Sequence, residues 1–444
     1  MSDSSKTEKA VPSSRISRLG RMARLTAGVA TGVLAEGVRQ LSQGNRPAIS
    51  DMLLTPANAR RVAKQLSAMR GAAMKVGQLL SMEANELLPK ELAIILAQLR
   101  DNAFTMPRKQ LEQCLADSYG SNWRARFATF EMQPLAAASI GQVHRATTLE
   151  GDEIVLKIQY LGISESIDSD VENIASLLRI TNLLPAHLDL TTVLDDAKQQ
   201  LHDEANYLTE AAYLEQFYAV FNEWEGVVVP KLYSDLTTPT VLAMGYTPGV
   251  QIERVDELGQ ERSNDVVMRL FKIMFAEFFQ LNLMQTDANF ANFKYRVEDE
   301  SIVLLDFGAA RSFRPEFIAN YTQLLRAVLD GDDTKVLEAA DSLGYKAQTA
   351  SQEYKVLMLA IFKLVFEPFT TRGEYDFGAA RLSQRLAELG EQANNFKKYW
   401  QTPPTDILYL HRKLGGLYLL GARLNAKVDC HALLLPHIHS VSTT

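Results

Sequence analysis

Residues 285–308 read QTDANFANFKYRVEDESIVLLDFG, and this stretch decides how the whole chain is interpreted. Its last part is an apolar run that ends in Asp306, Phe307 and Gly308. Mg²⁺ binds hard oxygen ligands, so a carboxylate directly after a rigid strand suits it chemically. Asp-Phe-Gly alone is a weak signal, because any turn can contain these three residues. Whether Asp306 is a metal ligand therefore has to be judged together with the residues that precede it in this stretch.

The first part of the same stretch provides an acid and an amide at a fixed spacing. Kinase catalytic loops place an Asp five residues before an Asn, and Asp287 and Asn292 have this spacing. In such loops the Asp orients or deprotonates the acceptor, and the Asn holds Mg²⁺. A solvated turn rich in Asn and Asp is the simpler interpretation of this motif alone. Together the two motifs predict a catalytic Asp287 and a Mg²⁺ site formed by Asn292 and Asp306.

A candidate lysine for the nucleotide phosphates lies in the segment Glu153–Ile158, whose residues alternate as in a strand. Lysine is poorly suited to a buried strand face unless an acid pairs with it. Lys157 therefore resembles the strand lysine of kinases, whose partner is a Glu on the following helix. We predict Glu204 as this partner, with Glu210 as the alternative. An exposed strand lysine is the competing interpretation.

The expected phosphate loop departs from the kinase pattern Gly-x-Gly-x-x-Gly-x-Val. In that register the first two glycines are alanines, and only Gly141 remains. Alanine carries a Cβ and avoids positive φ, so the loop should be stiffer and approach phosphates differently. The residues that we expect to contact the nucleotide here are Ala136, Ala137, Ala138, Ser139, Ile140, Gly141 and Val143.

The composition describes a globular chain of 444 residues, of which 47% are apolar and 22% are charged. Cys114 and Cys430 match no metal or redox spacing and predict a reducing compartment. A net charge of −7 argues against a nucleic-acid binder. Short strand patterns begin near residue 134, and long helical patterns follow from residue 263. This order predicts an α+β, kinase-like bilobal fold with a small β-rich N-lobe and a larger helical C-lobe.

The sequence predicts five segments along the chain. They are a disordered tail, a basic amphipathic arm, a helical extension, an N-lobe and a C-lobe, at residues 1–14, 15–50, 51–115, 116–245 and 246–444. Strands are predicted over 135–147, 153–160, 227–234, 240–245, 293–296 and 302–305. Helical stretches are predicted over 57–100, with a break near Pro89, and over 166–220 and 263–284.

Taken together, these motifs resemble the UbiB/AarF atypical kinase family, close to its mitochondrial coenzyme Q-supporting branch and the bacterial relatives of that branch. The resemblance covers most of the chain, up to about residue 435. The matching signatures are Lys75-x-Gly77-Gln78, the expected phosphate loop 136–143 (the Ala-rich loop), Lys157, Glu204 before Asn206-Tyr207, Thr286-Asp287 with Asn292, Asp306-Phe307-Gly308 and His411–Gly416.

The resemblance implies an ATP- and Mg²⁺-dependent ATPase, or a small-molecule or lipid kinase, that supports ubiquinone biosynthesis at a membrane. It implies that Lys75 points at the nucleotide pocket and acts as a brake, whereas composition alone would leave Lys75 as a surface lysine. Met244, in the segment that links the lobes, would lie on the adenine side. The implied partners are ubiquinone precursors or other lipids, ubiquinone biosynthesis enzymes and a second copy of the chain.

The chain departs from the family pattern at two positions, and two other functions are compatible with its motifs. The family often has acidic residues where this chain has Asn206 and Gly245. A nucleotide-binding scaffold without turnover is one alternative function, and a protein Ser/Thr kinase is the other. The protein kinase is disfavoured because Pro315-Glu316 follows Asp306 closely, and because Asn289 replaces the lysine of many catalytic loops.

The N-terminal arm differs in charge from the rest of the chain. Residues 1–50 carry eight basic and three acidic residues. Arginines recur there at every third position, beside an apolar row, at Arg15, Arg18, Arg21 and Arg24. A basic helix with an apolar face suits an anionic membrane surface, and a solvated arm packed on its own domain is the alternative. Since no run is long enough to span a membrane, we predict a cytoplasmic, peripheral membrane protein.

The membrane interpretation of the arm makes a direct prediction. The full chain should bind anionic liposomes, and the binding should weaken as salt is raised, because the attraction is electrostatic and screened. Co-sedimentation of the full chain and of a chain lacking residues 1–45 measures it, with neutral liposomes as the control. Equal binding by the two chains would exclude the arm as the contact.

Overall fold

The computed structural model describes residues 71–72, 75–76, 106–181, 190–287, 289–345, 347–393, 396 and 404–439. These residues form two compact units. The first contains the described residues of Met1–Glu215 together with Lys231–Tyr246, and the second contains Gln216–Pro230 and those of Thr247–Thr444. The predicted tail, the basic arm and most of the predicted helix over 57–100 lie outside the described residues.

Thirteen short strands and thirteen α-helices are found in the described part of the chain. The strands are β1 (Phe127–Phe130), β2 (Ala136–Ala137), β3 (Gly141–Thr148), β4 (Glu153–Gln159), β5 (Val227–Val228), β6 (Val241–Gly245), β7 (Val250–Gln251), β8 (Leu283–Gln285), β9 (Phe293–Arg296), β10 (Ser301–Leu304), β11 (Ala310–Ser312), β12 (Tyr375–Asp376) and β13 (Lys427–Val428). The α-helices are α1 (Arg108–Tyr119), α2 (Ile167–Thr181), α3 (Leu190–Glu204), α4 (Tyr207–Phe221), α5 (Gln260–Ala276), α6 (Pro315–Asp330), α7 (Asp333–Ser342), α8 (Gln352–Val365), α9 (Glu367–Thr370), α10 (Phe377–Ala380), α11 (Leu382–Ala393), α12 (Thr405–Arg423) and α13 (Cys430–His439).

The first unit is built on an antiparallel sheet with strand order β1-β3-β4-β6, to which β2 adds by pairing with β3. Strand β4 is rich in β-branched and other apolar residues, which favour a buried strand. Ile154, Leu156 and Ile158 on one face are fully buried, and Val155 and Lys157 on the other face are buried as well. Both faces of β4 are therefore covered, and the α+β class predicted from the sequence is confirmed.

Gly141 at the start of β3 is required by a close approach between strands. A Cβ built on this residue would lie 2.3 Å from the carbonyl oxygen of Ile158 on β4 and 3.1 Å from the Tyr207 hydroxyl. Backbone atoms of a central strand cannot give way by such a distance. The one glycine that the Ala-rich loop retains is thus explained by close packing against β4.

The second unit has a four-stranded sheet with the order β5-β10-β9-β7 and a separate pair formed by β8 and β11. Strand β10 is parallel to β5 and antiparallel to β9. Strand β8 ends at Gln285, directly before the Asp287 motif, and β10 ends at Leu304, directly before the Asp306 motif. The ends of two strands therefore fix both acidic motifs.

Several element boundaries differ from those that the sequence predicts. The stretch 135–147 forms the hairpin of β2 and β3, and the helical stretch 166–220 divides into α2, α3 and α4. The strand predicted over 227–234 is limited to Val227–Val228. The helix predicted over 263–284 ends at Ala276, and the π-helix Glu277–Leu281 follows it. Asn282 then takes a left-handed conformation with φ 53°, which turns the chain into β8.

The helices of the second unit pack around aromatic side chains. The ring centroid of Phe271 on α5 lies 5.7 Å from that of Phe377 and 6.2 Å from that of Tyr418 on α12. This packing holds α12 beside the helix that leads into the π-helix and β8. Among the described helices, none combines the length and the hydropathy that crossing a membrane requires.

The close approach at Gly141 predicts a large effect of a small substitution. Gly141→Ala should lower the free energy of unfolding by about 2 kcal/mol, because its methyl group overlaps the backbone of β4. Gly390→Ala is the matched control, since a Cβ there meets no described atom within 4 Å on the exposed side of α11. Urea unfolding of both variants measures the difference, and equal stability of the two would contradict the packing argument.

Candidate active site

The Ala-rich loop is a tight β-hairpin. Ala136 pairs with Val143, and Ala137 pairs with Gln142. The amide of Ala138 donates to the carbonyl of Gly141 at 2.9 Å, which leaves Ser139 and Ile140 at the tip. The alanines before the tip are exposed or half-buried, whereas Ile140 is buried. The hairpin is thus closed by its own hydrogen bonds and anchored by its tip.

Lys157 lies in the middle of the sheet and forms a buried ion pair with Glu210. Its Nζ is 2.8 Å and 3.0 Å from the two carboxylate oxygens, and the two side chains are 8% and 1% exposed. Glu210 is in the first turn of α4. The prediction that Glu204 pairs with Lys157 is therefore wrong, and the alternative partner, Glu210, is the one observed. Burial makes this pairing necessary, because an unpaired charge inside the sheet would be strongly destabilising.

Glu204, the last residue of α3, pairs with Lys75 instead. Its Oε1 accepts from Lys75 Nζ, and its Oε2 accepts from Ser139 Oγ at 2.7 Å. Lys75 is 2% exposed, so it is not a surface lysine. One carboxylate thus connects the helix that carries Lys75 to the tip of the Ala-rich hairpin. The role of Lys75 as a brake stays a prediction.

Packing adds to the contact between the helix of Lys75 and the hairpin. Gly71 is helical, as is Lys75, and a Cβ built on Gly71 would lie 2.8 Å from Cγ2 of Ile140 and 3.1 Å from the carbonyl oxygen of Ser139. Gly71 therefore packs closely against the tip of the hairpin. Gly77 and Gln78 of the same motif lie outside the described residues.

The departure from the family pattern at Asn206 has a simple local explanation. The Oδ1 of Asn206 accepts from the amide of Thr209 at 3.3 Å and so caps α4, a function that Asn and Asp perform equally well. Gly245 ends β6, where its amide donates to the carbonyl of Lys231 at 2.9 Å. Met244 precedes it on β6, opposite Val155, and is 6% exposed.

Asp287 begins a loop that is closed by its own side chains. The Oδ1 of Asp287 accepts from the amide of Asn289 at 3.2 Å, and the Oδ1 of Asn289 accepts from the amide of Ala291 at 3.1 Å. Thr286 Oγ1 donates to the carbonyl of Ala309 at 2.7 Å, beside the pairing of β8 with β11. These contacts fix the loop on both sides of Asp287, which remains partly exposed.

Asn292 and Asp306 are brought together in the second unit. The amide of Leu305 donates to the carbonyl of Asn292 at 3.0 Å, which places the residue before Asp306 directly beside Asn292. Both side chains line one small cavity, and the residues around it are Phe217, Glu277, Gln285, Asn292, Phe293, Leu304, Leu305, Asp306 and Phe307. Asn292 Nδ2 has no hydrogen-bond partner among the described residues.

The donor set at this cavity fits Mg²⁺. One carboxylate and one amide carbonyl are hard oxygen ligands, and Mg²⁺ usually takes few protein ligands and completes its shell with waters and phosphate oxygens. Within the described part of the chain, no group of three or more His, Cys, Asp or Glu could hold a metal by itself.

Two basic residues of α12 pair with carboxylates, one in the loop of Asp287 and one in the π-helix, and the sequence predicted no role for either. Arg412 Nη2 donates to Asp287 Oδ1 at 3.3 Å. Lys413 Nζ lies 3.1 Å from Glu277 Oε2. Burial raises the pKa of Glu277, and the charge of Lys413 opposes this rise. The available signal was an arginine and a lysine inside an otherwise apolar helix, where buried charges need partners.

Comparisons with known proteins agree with this geometry. Residues 98–340 match the family model described as the ABC1 atypical kinase-like domain. The chain is 37% identical to "Atypical kinase COQ8, mitochondrial" of Saccharomyces cerevisiae, over 95% of this chain and 84% of that protein. It is 35% identical to "Atypical kinase COQ8B, mitochondrial" of Rattus norvegicus, over 99% of this chain and 83% of that protein.

A solved structure supports the fold. The Mycobacterium tuberculosis protein Rv3197, solved as a complex with erythromycin, is similar with a TM-score of 0.58 and 23% identity, over 85% of this chain and 95% of that chain. The fold and the acidic motifs define a kinase-like protein of the phosphotransferase class. The chain belongs to the ABC1 atypical kinase-like family, as the resemblance to UbiB/AarF proteins predicted.

The corrected partner of Lys157 predicts the outcome of a double-mutant cycle. Glu210→Gln should lower the free energy of unfolding by about 3 kcal/mol, because it leaves the Lys157 charge buried and unpaired. The double variant Glu210→Gln with Lys157→Met should lose much less free energy of unfolding than the two single variants lose in sum. Glu153→Gln is the control, since its partner Arg145 is at the surface and the pair contributes under about 1 kcal/mol. A larger coupling of Lys157 to Glu204 than to Glu210 would contradict the observed pairing.

Proposed function

We propose that this protein binds ATP with Mg²⁺ and transfers or hydrolyses its γ-phosphate in support of ubiquinone biosynthesis. The buried pair of Lys157 and Glu210 carries the proposal. In kinases the corresponding strand lysine and helix glutamate must be paired for the phosphates to be held. A chain that stabilises a lysine charge in the middle of a sheet has a use for that charge, because an apolar residue would be cheaper to bury.

Each proposed role follows from the position of its residue. Lys157 would hold the phosphates beside the Ala-rich hairpin. Asn292 and Asp306 would bind Mg²⁺, which neutralises charge on the phosphates when bound. Asp287 would orient or deprotonate the group that attacks the γ-phosphate. Met244 is proposed on the adenine side, although its side chain is buried.

A small molecule, a lipid or water is the proposed acceptor. Helix α6 starts at Pro315, so the segment between Asp306 and the next helix contains only β11 and short connections. Protein kinases use a longer activation segment at this place to receive a peptide. Ubiquinone precursors or other lipids are the proposed substrate class. An anionic membrane surface, ubiquinone biosynthesis enzymes and a second copy of the chain are proposed as further partners.

A nucleotide-binding scaffold is the second candidate function. The observation that favours the scaffold is that polar groups at the tip of the Ala-rich hairpin already have hydrogen-bond partners within the protein. The amide of Ala138 already donates to Gly141, and Ser139 is bound by Glu204. Phosphates that bind through backbone amides would have to compete with these contacts. A protein of this kind would use ATP to set its conformation rather than to modify a substrate.

ATP hydrolysis decides between the two functions. The purified chain should hydrolyse ATP only with Mg²⁺, and anionic liposomes should raise the rate. Asp306→Asn should lower the rate about a hundredfold, because one ligand of the charge-neutralising ion loses its charge. Asp299→Asn is the control, since Asp299 forms an exposed pair with Arg296 in the turn between β9 and β10.

Each other outcome has a definite meaning. Nucleotide binding without hydrolysis would favour the scaffold. An unchanged rate in Asp306→Asn would exclude the proposed Mg²⁺ site. Faster transfer to an added protein than to water would revive the protein kinase.

A further inference from the structure

The catalytic loop has no cation of its own. Residues 285–292 contain no Lys, Arg or His, whereas protein kinases carry basic residues before and after the catalytic Asp. At the position of the usual lysine, the side chain of Asn289 is occupied, because its Oδ1 accepts from the amide of Ala291. An aspartate that works beside phosphates is repelled by them unless a positive charge lies close.

A cation reaches this loop from a distant part of the chain. The guanidinium of Arg412, on α12, donates to Asp287 Oδ1 at 3.3 Å, across 125 residues of sequence. The side chain of Arg412 is 5% exposed, and that of Asp287 is 17% exposed. The arginine therefore lies beneath the aspartate, on the protein side, and leaves the other carboxylate oxygen of Asp287 for an acceptor.

The residues on either side of Arg412 hold it in register. The His411 Nε2 lies 3.0 Å from the hydroxyl of Tyr321 on α6, and burial lowers the pKa of His411 to about 4, so the ring is neutral. Lys413 pairs with Glu277 in the π-helix that precedes β8 and the catalytic loop. The contacts of His411 and Lys413 thus fix the backbone of Arg412, so that its guanidinium stays in place beside Asp287.

We propose that Arg412 is a positioning residue that holds Asp287 in its working orientation, and that it supplies from α12 the positive charge that the catalytic loop lacks. The inference rests on the proposed phosphotransfer and assigns no nucleotide contact to Arg412. Loss of Arg412 should therefore lower kcat and leave the KM for ATP nearly unchanged, because the carboxylate of Asp287, which it would misplace, acts on the attacking atom and not on ATP binding.

The test is steady-state ATP hydrolysis by the full chain. Arg412→Gln should lower kcat about tenfold or more with the KM for ATP within about twofold. Arg412→Lys should recover part of the rate, since it keeps the charge but not the planar fork. Guanidinium added to Arg412→Ala should restore activity more than urea at the same concentration. Arg385→Gln is the control and should keep the wild-type rate, since Arg385 is exposed and pairs with Glu367.

The double variant separates positioning from general damage. If Arg412 acts through Asp287, then Asp287→Asn with Arg412→Gln should be no slower than Asp287→Asn alone. Independent, multiplying losses would overturn the inference, and so would a raised KM with an unchanged kcat. If Arg412→Gln does not fold, Arg412→Lys decides, because a wild-type kcat in it would also overturn the inference. Absent hydrolysis by the wild type would instead overturn the proposed function together with the inference.

Discussion

The charge of Lys157 in the middle of a sheet is the constraint on which the first unit depends. A lysine buried on a central strand requires a carboxylate at hydrogen-bond distance, and Glu210 meets this requirement from the first turn of α4. The start of α4 is therefore fixed against β4, with Asn206 as its cap. Glu204, a few residues earlier, then faces a different direction and becomes the partner of Lys75 and Ser139.

In the second unit, too, buried basic side chains require carboxylate partners. Helix α12 is apolar along most of its length, yet it buries Arg412 and Lys413. Two carboxylates compensate them, Glu277 in the π-helix and Asp287 in the loop after β8. Partners of this kind lie far apart in sequence, so each pair fixes two segments that no local pattern would bring together. The geometry of the loop that contains Asp287 thus depends on helix α12.

Local patterns predicted what is local in the structure. The strands β4, β9 and β10 were found near their observed limits, because β-branched and apolar residues there end at clear breaks. Asp287, Asn292 and Asp306 were singled out by spacing along one short stretch. The choice between Glu204 and Glu210 failed because it depends on Lys75, whose helix meets α3 only in the folded unit. The role of Arg412 was missed for the same reason, since a buried charge reveals its partner only in three dimensions.

The Ala-rich hairpin shows how one carboxylate couples separate segments. Glu204 binds Lys75 through one oxygen and Ser139 through the other. Removing either contact leaves a buried or half-buried charge with fewer partners, which is costly in a medium of low polarity. A change at the tip of the hairpin therefore affects the helix of Lys75, and the reverse also holds. In a glycine-rich loop this coupling would be weak, because the loop itself could absorb the change. With alanines at those positions the hairpin is stiffer, and a displacement of its tip is passed on to Glu204 and Lys75.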